Sequence, residues 1–67
     1  MPKVKTIRSL AWAQARAQEI ANGTGNSQIV YRSTLRTDEE DFGAAPSLPL
    51  FAEPVGERVY PETFADY

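Results

Sequence analysis

Few residues of this chain could do covalent chemistry. Its 67 residues include no histidine and no cysteine, which removes the commonest general base, the thiol nucleophile and the principal zinc ligands together. A serine–lysine pair and the acidic run Asp38, Glu39, Glu40, Asp41 remain. The run lacks the alternating ligands and the glycine of a calcium loop, and it reads as a solvated loop. The stretch GTGNS at 23–27 is glycine-rich but lacks the GxxxxGK[ST] spacing. It also follows a helix where a phosphate loop precedes one, so it reads as a turn. Typical ligand pockets enclose ~300–1,000 Å3, more than so short a chain readily surrounds. The expectation is a non-enzymatic protein with no catalytic residue, no cofactor and no metal.

The chemistry left is recognition. Large apolar and aromatic side chains recur in the proline-containing segment GAAPSLPLFAEPVGERVYPETFADY at 43–67. Leu48, Leu50, Phe51, Tyr60 and Phe64 are the candidate partner-binding residues there. Trp12 joins them because it falls on the polar side of the first helix, and tryptophan is enriched at binding hot spots. The alternative for Trp12 is partial cover by Arg16 one turn on, with a cation–π contact.

The elements that must carry these residues follow from pattern. TIRSLAWAQARAQEIANG predicts one helix over about 6–22, capped by Thr6 or Ser9 and stopped at Asn22–Gly23. Five alanines favour it, and its apolar stripe of Ile7, Leu10, Ala11, Ala13, Ala17 and Ala21 is thin. QIVYRSTLRT predicts one strand over about 28–37, alternating in the period of two and rich in β-branched and aromatic residues. A lone strand must pair with the tail, a second copy or a partner. Pro46, Pro49, Pro54 and Pro61 exclude a long helix from the last third, which reads as an extended arm with one closing helical turn over YPETFADY. The fold expected is therefore small α+β or mostly irregular, with little independent core. A helix–strand unit would occupy 1–43 and the binding arm 44–67.

Composition bounds the setting. Chains this small usually need a staple, and without cysteine or histidine the one left is another protein chain. No run approaches the ~18 apolar residues of a membrane span. The N-terminal stretch is broken by Gln14, Arg16, Gln18 and Glu19, so it does not read as a signal peptide. A cytoplasmic or virion location is expected, and NGT at Asn22–Thr24 reads as a turn rather than a glycosylation site. Net charge is −2. Residues 1–37 hold six cations against Glu19, net +5, and residues 38–67 hold eight acids against Arg58, net −7. Such halves can fold onto each other or meet a neighbouring copy. Without interleaved exposed aromatics, the basic half is a poor nucleic-acid footprint.

Two short stretches resemble known proteins. ARAQEIANGT at 15–24 resembles the helix end and following turn of the bacterial RNA polymerase omega subunit, though no later helix of that family follows. SLPLF at 47–51 is similar to the linear motif by which bacterial polymerases dock on the sliding clamp, but Ala45 and Pro46 stand where that motif has glutamine and leucine. These resemblances imply a small regulator of RNA polymerase or of the clamp. The favoured expectation is a structural or interaction subunit whose arm orders on a larger assembly, built like the cementing or minor proteins of a phage particle. Its partners would be other protein subunits, with self-association through the charged halves.

Overall fold

The computed structural model describes residues 4–35 and 38–62. Its elements run β1 (Lys5–Arg8), α1 (Leu10–Thr24), β2 (Ile29–Ser33), β3 (Glu39–Ala45) and β4 (Ala52–Pro54). The strands form one mixed sheet in the order β1-β3-β2-β4. β1 is parallel to β3, and β2 is antiparallel to both β3 and β4. The expectation of a mostly irregular chain with an extended arm and little core is overturned: this is a small α+β fold with a helix packed on a four-stranded sheet.

The helix begins at Leu10 rather than near residue 6. Ser9 is its cap, extended at φ −78°, ψ 161°, and its Oγ accepts the Trp12 N–H at 3.0 Å. Thr6 and Ile7 belong to β1. The stop lies at Gly25 rather than Gly23. Gly25 takes φ 78° and donates its N–H to the Ala21 carbonyl at 2.8 Å, a left-handed closure that suits glycine. Ala13, Ala17 and Ala21 are fully buried, one on each successive turn. This narrow stripe lets α1 lie close on the sheet, mainly on β3 and secondarily on β2. Val30 is the buried apolar residue opposite, and Leu10, Phe42, Ala44, Val55 and Val59 close the core around it.

The strand expected over 28–37 ends at Ser33, and Arg36 and Thr37 lie outside the described residues. The acidic run is not a solvated loop. Glu39, Glu40 and Asp41 open β3 and stand in register with Lys5, Thr6 and Arg8. Acids are poor strand formers, but here opposite charges and a hydroxyl face them across the ladder, and such pairs stabilise a sheet. Ile7 is the extra residue of an irregularity between Thr6 and Arg8, which brings Arg8 opposite Asp41.

The last third folds back instead of reaching out. Val55 N–H donates to the Val30 carbonyl at 2.8 Å, and Gln28 and Val59 exchange two bonds of 2.8 Å. Arg58 Nη1 donates to Ser27 Oγ and to the Pro46 carbonyl. The chain then crosses to α1, where Gln18 Nε2 donates to the Tyr60 carbonyl at 2.9 Å and Glu62 N–H to Asn22 Oδ1 at 2.8 Å. Pro54 closes the edge strand β4, one of the places where a sheet tolerates proline. Pro61 and Glu62 are not helical; the rest of the expected closing turn, Phe64 included, lies outside the described residues.

Candidate functional site

Backbone register assembles one exposed apolar end of the sheet. Ser33 faces Ala52, and Thr34 N–H donates to the Phe51 carbonyl at 2.7 Å. Leu35 and Leu50 follow and precede that pair in the chain, at the end where β2 leaves the sheet and β4 enters it. Leu50 is 87% exposed, and Phe51 and Leu35 are each 67% exposed. Leu48, also exposed, precedes them. Phe51 is the described residue other than glycine with positive φ, at 56°. A side chain in that region costs roughly 1–2 kcal/mol against ordinary backbone. A rigid turn thus holds two large apolar side chains in water, where they contribute little to the fold.

Trp12 sits elsewhere, near the start of α1 and beside β1. The Arg8 guanidinium lies 5.4 Å from its ring centroid. The cation over Trp12 is therefore Arg8, not Arg16, whose Nη1 pairs instead with Glu19 Oε1 at 2.5 Å. Arg8 also forks onto Asp41, with Nε to Oδ1 at 2.6 Å and Nη2 to Oδ2 at 2.9 Å. That hydrogen bond holds the Asp41 carboxyl below its ordinary range and raises Arg8 above its own. Tyr31 reaches toward the same place. Its ring lies across Gly43, where an added Cβ would stand 2.6 Å from the phenol oxygen.

Tyr60 belongs to neither group. Its carbonyl is tied to Gln18 on α1, and its side chain is exposed. The sequence candidates therefore separate into an apolar tip (Leu48, Leu50, Phe51), a helix-start cluster (Trp12) and a C-terminal strap (Tyr60). Leu35 and Ile7 are exposed apolar residues that pattern reasoning assigned to a strand face and a helix stripe, and Val4 is exposed as well. The signal that could have found Leu35 is its place beside the charged stretch RTDEED, beyond the last well-paired strand residue.

Among the described residues there is no cavity, no cluster of three or more residues able to hold a metal, and no helix long and apolar enough to cross a membrane. Comparison with known proteins finds no matching family model, curated protein or solved structure.

Proposed function

We propose that this chain is a non-enzymatic interaction subunit of a larger protein assembly, in the manner of small cementing or minor structural proteins, and that it engages its partner through the folded tip Leu48–Phe51. The observation that carries this reading is Phe51 itself. A phenylalanine two-thirds exposed at φ 56° serves the fold poorly, since glycine or asparagine would fit the turn with less strain. Such an outlier supports a functional reason for its retention. The extended arm has no further place in the proposal, because residues 44–62 are part of the fold.

The test is capture from the native source with the intact chain and with the Leu50→Ser/Phe51→Ser double variant, both first shown to be folded. The reading expects defined protein subunits to be captured by the intact chain and lost with the variant; equal capture overturns it. The exposure of Leu48, Leu50 and Phe51 side by side also favours a second reading, that SLPLF docks on a sliding clamp, and titration with purified clamp separates the two. The omega-like stretch gains no comparable support, since Ala17 and Ala21 within it are buried against the chain's own sheet.

A further inference from the structure

Gly23 has no structural reason to be glycine. Gly25 and Gly56 take positive φ, at 78° and 72°, whereas Gly23 lies in the last turn of α1 without it. A Cβ added to Gly23 would meet nothing within 4 Å among the described residues, so alanine would fit there and favour the helix. The residue before it does have a place. Asn22 Oδ1 accepts the Gln18 side-chain N–H at 2.9 Å and the Glu62 backbone N–H at 2.8 Å. Asn22 Nδ2 donates to Glu62 Oε1 at 3.2 Å. Gln18 Nε2 also holds the Tyr60 carbonyl, so the Asn22 carboxamide is the centre of the bonds that fasten the strap end to α1. Asn22 is itself exposed to water.

A glycine after asparagine leaves the following backbone nitrogen least obstructed for attack on the asparagine side chain. We propose that Asn22–Gly23 is a self-modifying latch: hydrolysis of the Asn22 amide through Gly23 releases the strap end at Tyr60–Glu62, once and in one direction. The Gly23 backbone nitrogen bonds to Asn22 Cγ, and Nδ2 leaves as ammonia, taking the proton that the Gly23 nitrogen gives up. Water then opens the cyclic imide at either carbonyl, leaving aspartate or its isomer with the backbone routed through the side chain. Helical backbone holds the Gly23 nitrogen away from Cγ, so the last turn must open first, as helix ends do locally. The bonds on the carboxamide oppose that opening, so the strap guards the amide that fastens it. After hydrolysis the donor to Glu62 is gone. A carboxylate then faces the Glu62 carboxylate, a like pair that resists closure, and it stands at the helix C-terminus, where the macrodipole disfavours it.

The test holds the folded chain in warm, mildly alkaline buffer and follows each asparagine by peptide mass spectrometry. Asn26, exposed and followed by Ser27, is the internal reference, and Asn22 is expected to convert faster. Gly23→Ala keeps every contact of the carboxamide. It should raise the melting temperature and slow conversion at least about tenfold, equivalent to about 1.4 kcal/mol of barrier. Gln18→Ala removes one bond to Asn22 and the bond to Tyr60, and it should hasten conversion. Release is read separately by amide exchange. In Asn22→Asp, exchange at Glu62 should quicken, while exchange at Val55, bonded to the Val30 carbonyl at 2.8 Å, stays slow. Adding Glu62→Gln removes the like-charge pair and should restore the protection. Three results overturn the proposal: conversion of Asn22 no faster than Asn26, an equal rate in Gly23→Ala, or unchanged Glu62 exchange in folded Asn22→Asp.

Discussion

Replacing Phe51 with glycine separates a residue kept for folding from one kept for binding. A buried phenylalanine cut back to a small residue costs a fold about 3–5 kcal/mol. At Phe51 the terms differ. Relief of the positive φ of 56° returns roughly 1–2 kcal/mol. Burial of only the remaining third of the side chain contributes roughly 0.5–1 kcal/mol, which is lost. The added freedom of glycine in the unfolded chain costs about 0.4–1 kcal/mol. The sum lies within about 1 kcal/mol of zero, so a thermal melt followed by circular dichroism should shift by no more than about 4–8 °C in either direction. Partner binding should suffer far more. Burying the exposed two-thirds of Phe51 contributes about 1–2 kcal/mol, and its loss weakens binding roughly five- to thirtyfold. A destabilisation near 3 kcal/mol would show that Phe51 is a core residue. Unchanged partner affinity in the folded variant would show that the tip is not the anchor.

Further outcomes follow from single contacts. Gln28 is 2% exposed and its Oε1 has no hydrogen-bond partner, so Gln28→Met should raise stability in urea denaturation by about 1 kcal/mol, the scale of an unsatisfied buried acceptor. Gly43→Ala sets a methyl 2.6 Å from the Tyr31 phenol oxygen and should cost about 1–3 kcal/mol as overpacking does; Tyr31→Leu in the same chain should recover part of that loss. The Asp41 carboxyl is held low by Arg8, so its contribution is full above the unfolded carboxyl value and is lost as pH falls through the lower folded one. Asp41→Asn should flatten that acid limb in melts below about pH 4, by under about 1 kcal/mol because both partners are well solvated.

The parts legible in the sequence are those whose signals are local. Alanine content and a serine cap mark α1, and period-two alternation marks Ile29–Ser33. The three other strands depend on residues far along the chain. KTIR continues the spacing of Leu10 and Ala11 backwards through Ile7, so a 100° pattern absorbs it into the helix; only β3 makes it a strand. EEDFGAA opens on three acids and holds a glycine, and local propensity argues against a strand there. Its partner Arg8 lies 33 residues away from Asp41. AEP is three residues ending in proline, and it is a strand because Tyr31, Arg32 and Ser33 present an edge to it. The tip followed the same division. Leu48, Leu50 and Phe51 stood out by type, whereas the place of Leu35 at the same end of the sheet depends on the β2–β4 register. Trp12 was found by its place on the helix, but its cation came from the strand before it rather than from the next turn.

The charge asymmetry of the chain takes on a different meaning once the sheet is assembled. The basic and acidic halves meet inside the molecule: Arg8 holds Asp41, Arg32 holds Glu53, and Lys5 stands in register with Glu39. Their attraction therefore acts first on the fold, where it ties the two edge strands into the sheet. The surface left to a partner is of a different kind. At the tip, Leu35, Leu50 and Phe51 offer apolar area with no cation among them, and burial of such area is not screened by ions. The ion pairs that tie β1 and β4 into the sheet are partly exposed, and exposed charges are screened over ~8 Å at physiological ionic strength. Salt therefore separates the two contributions within one protein: added salt should weaken the pairs that tie the edge strands while leaving a partner on the tip.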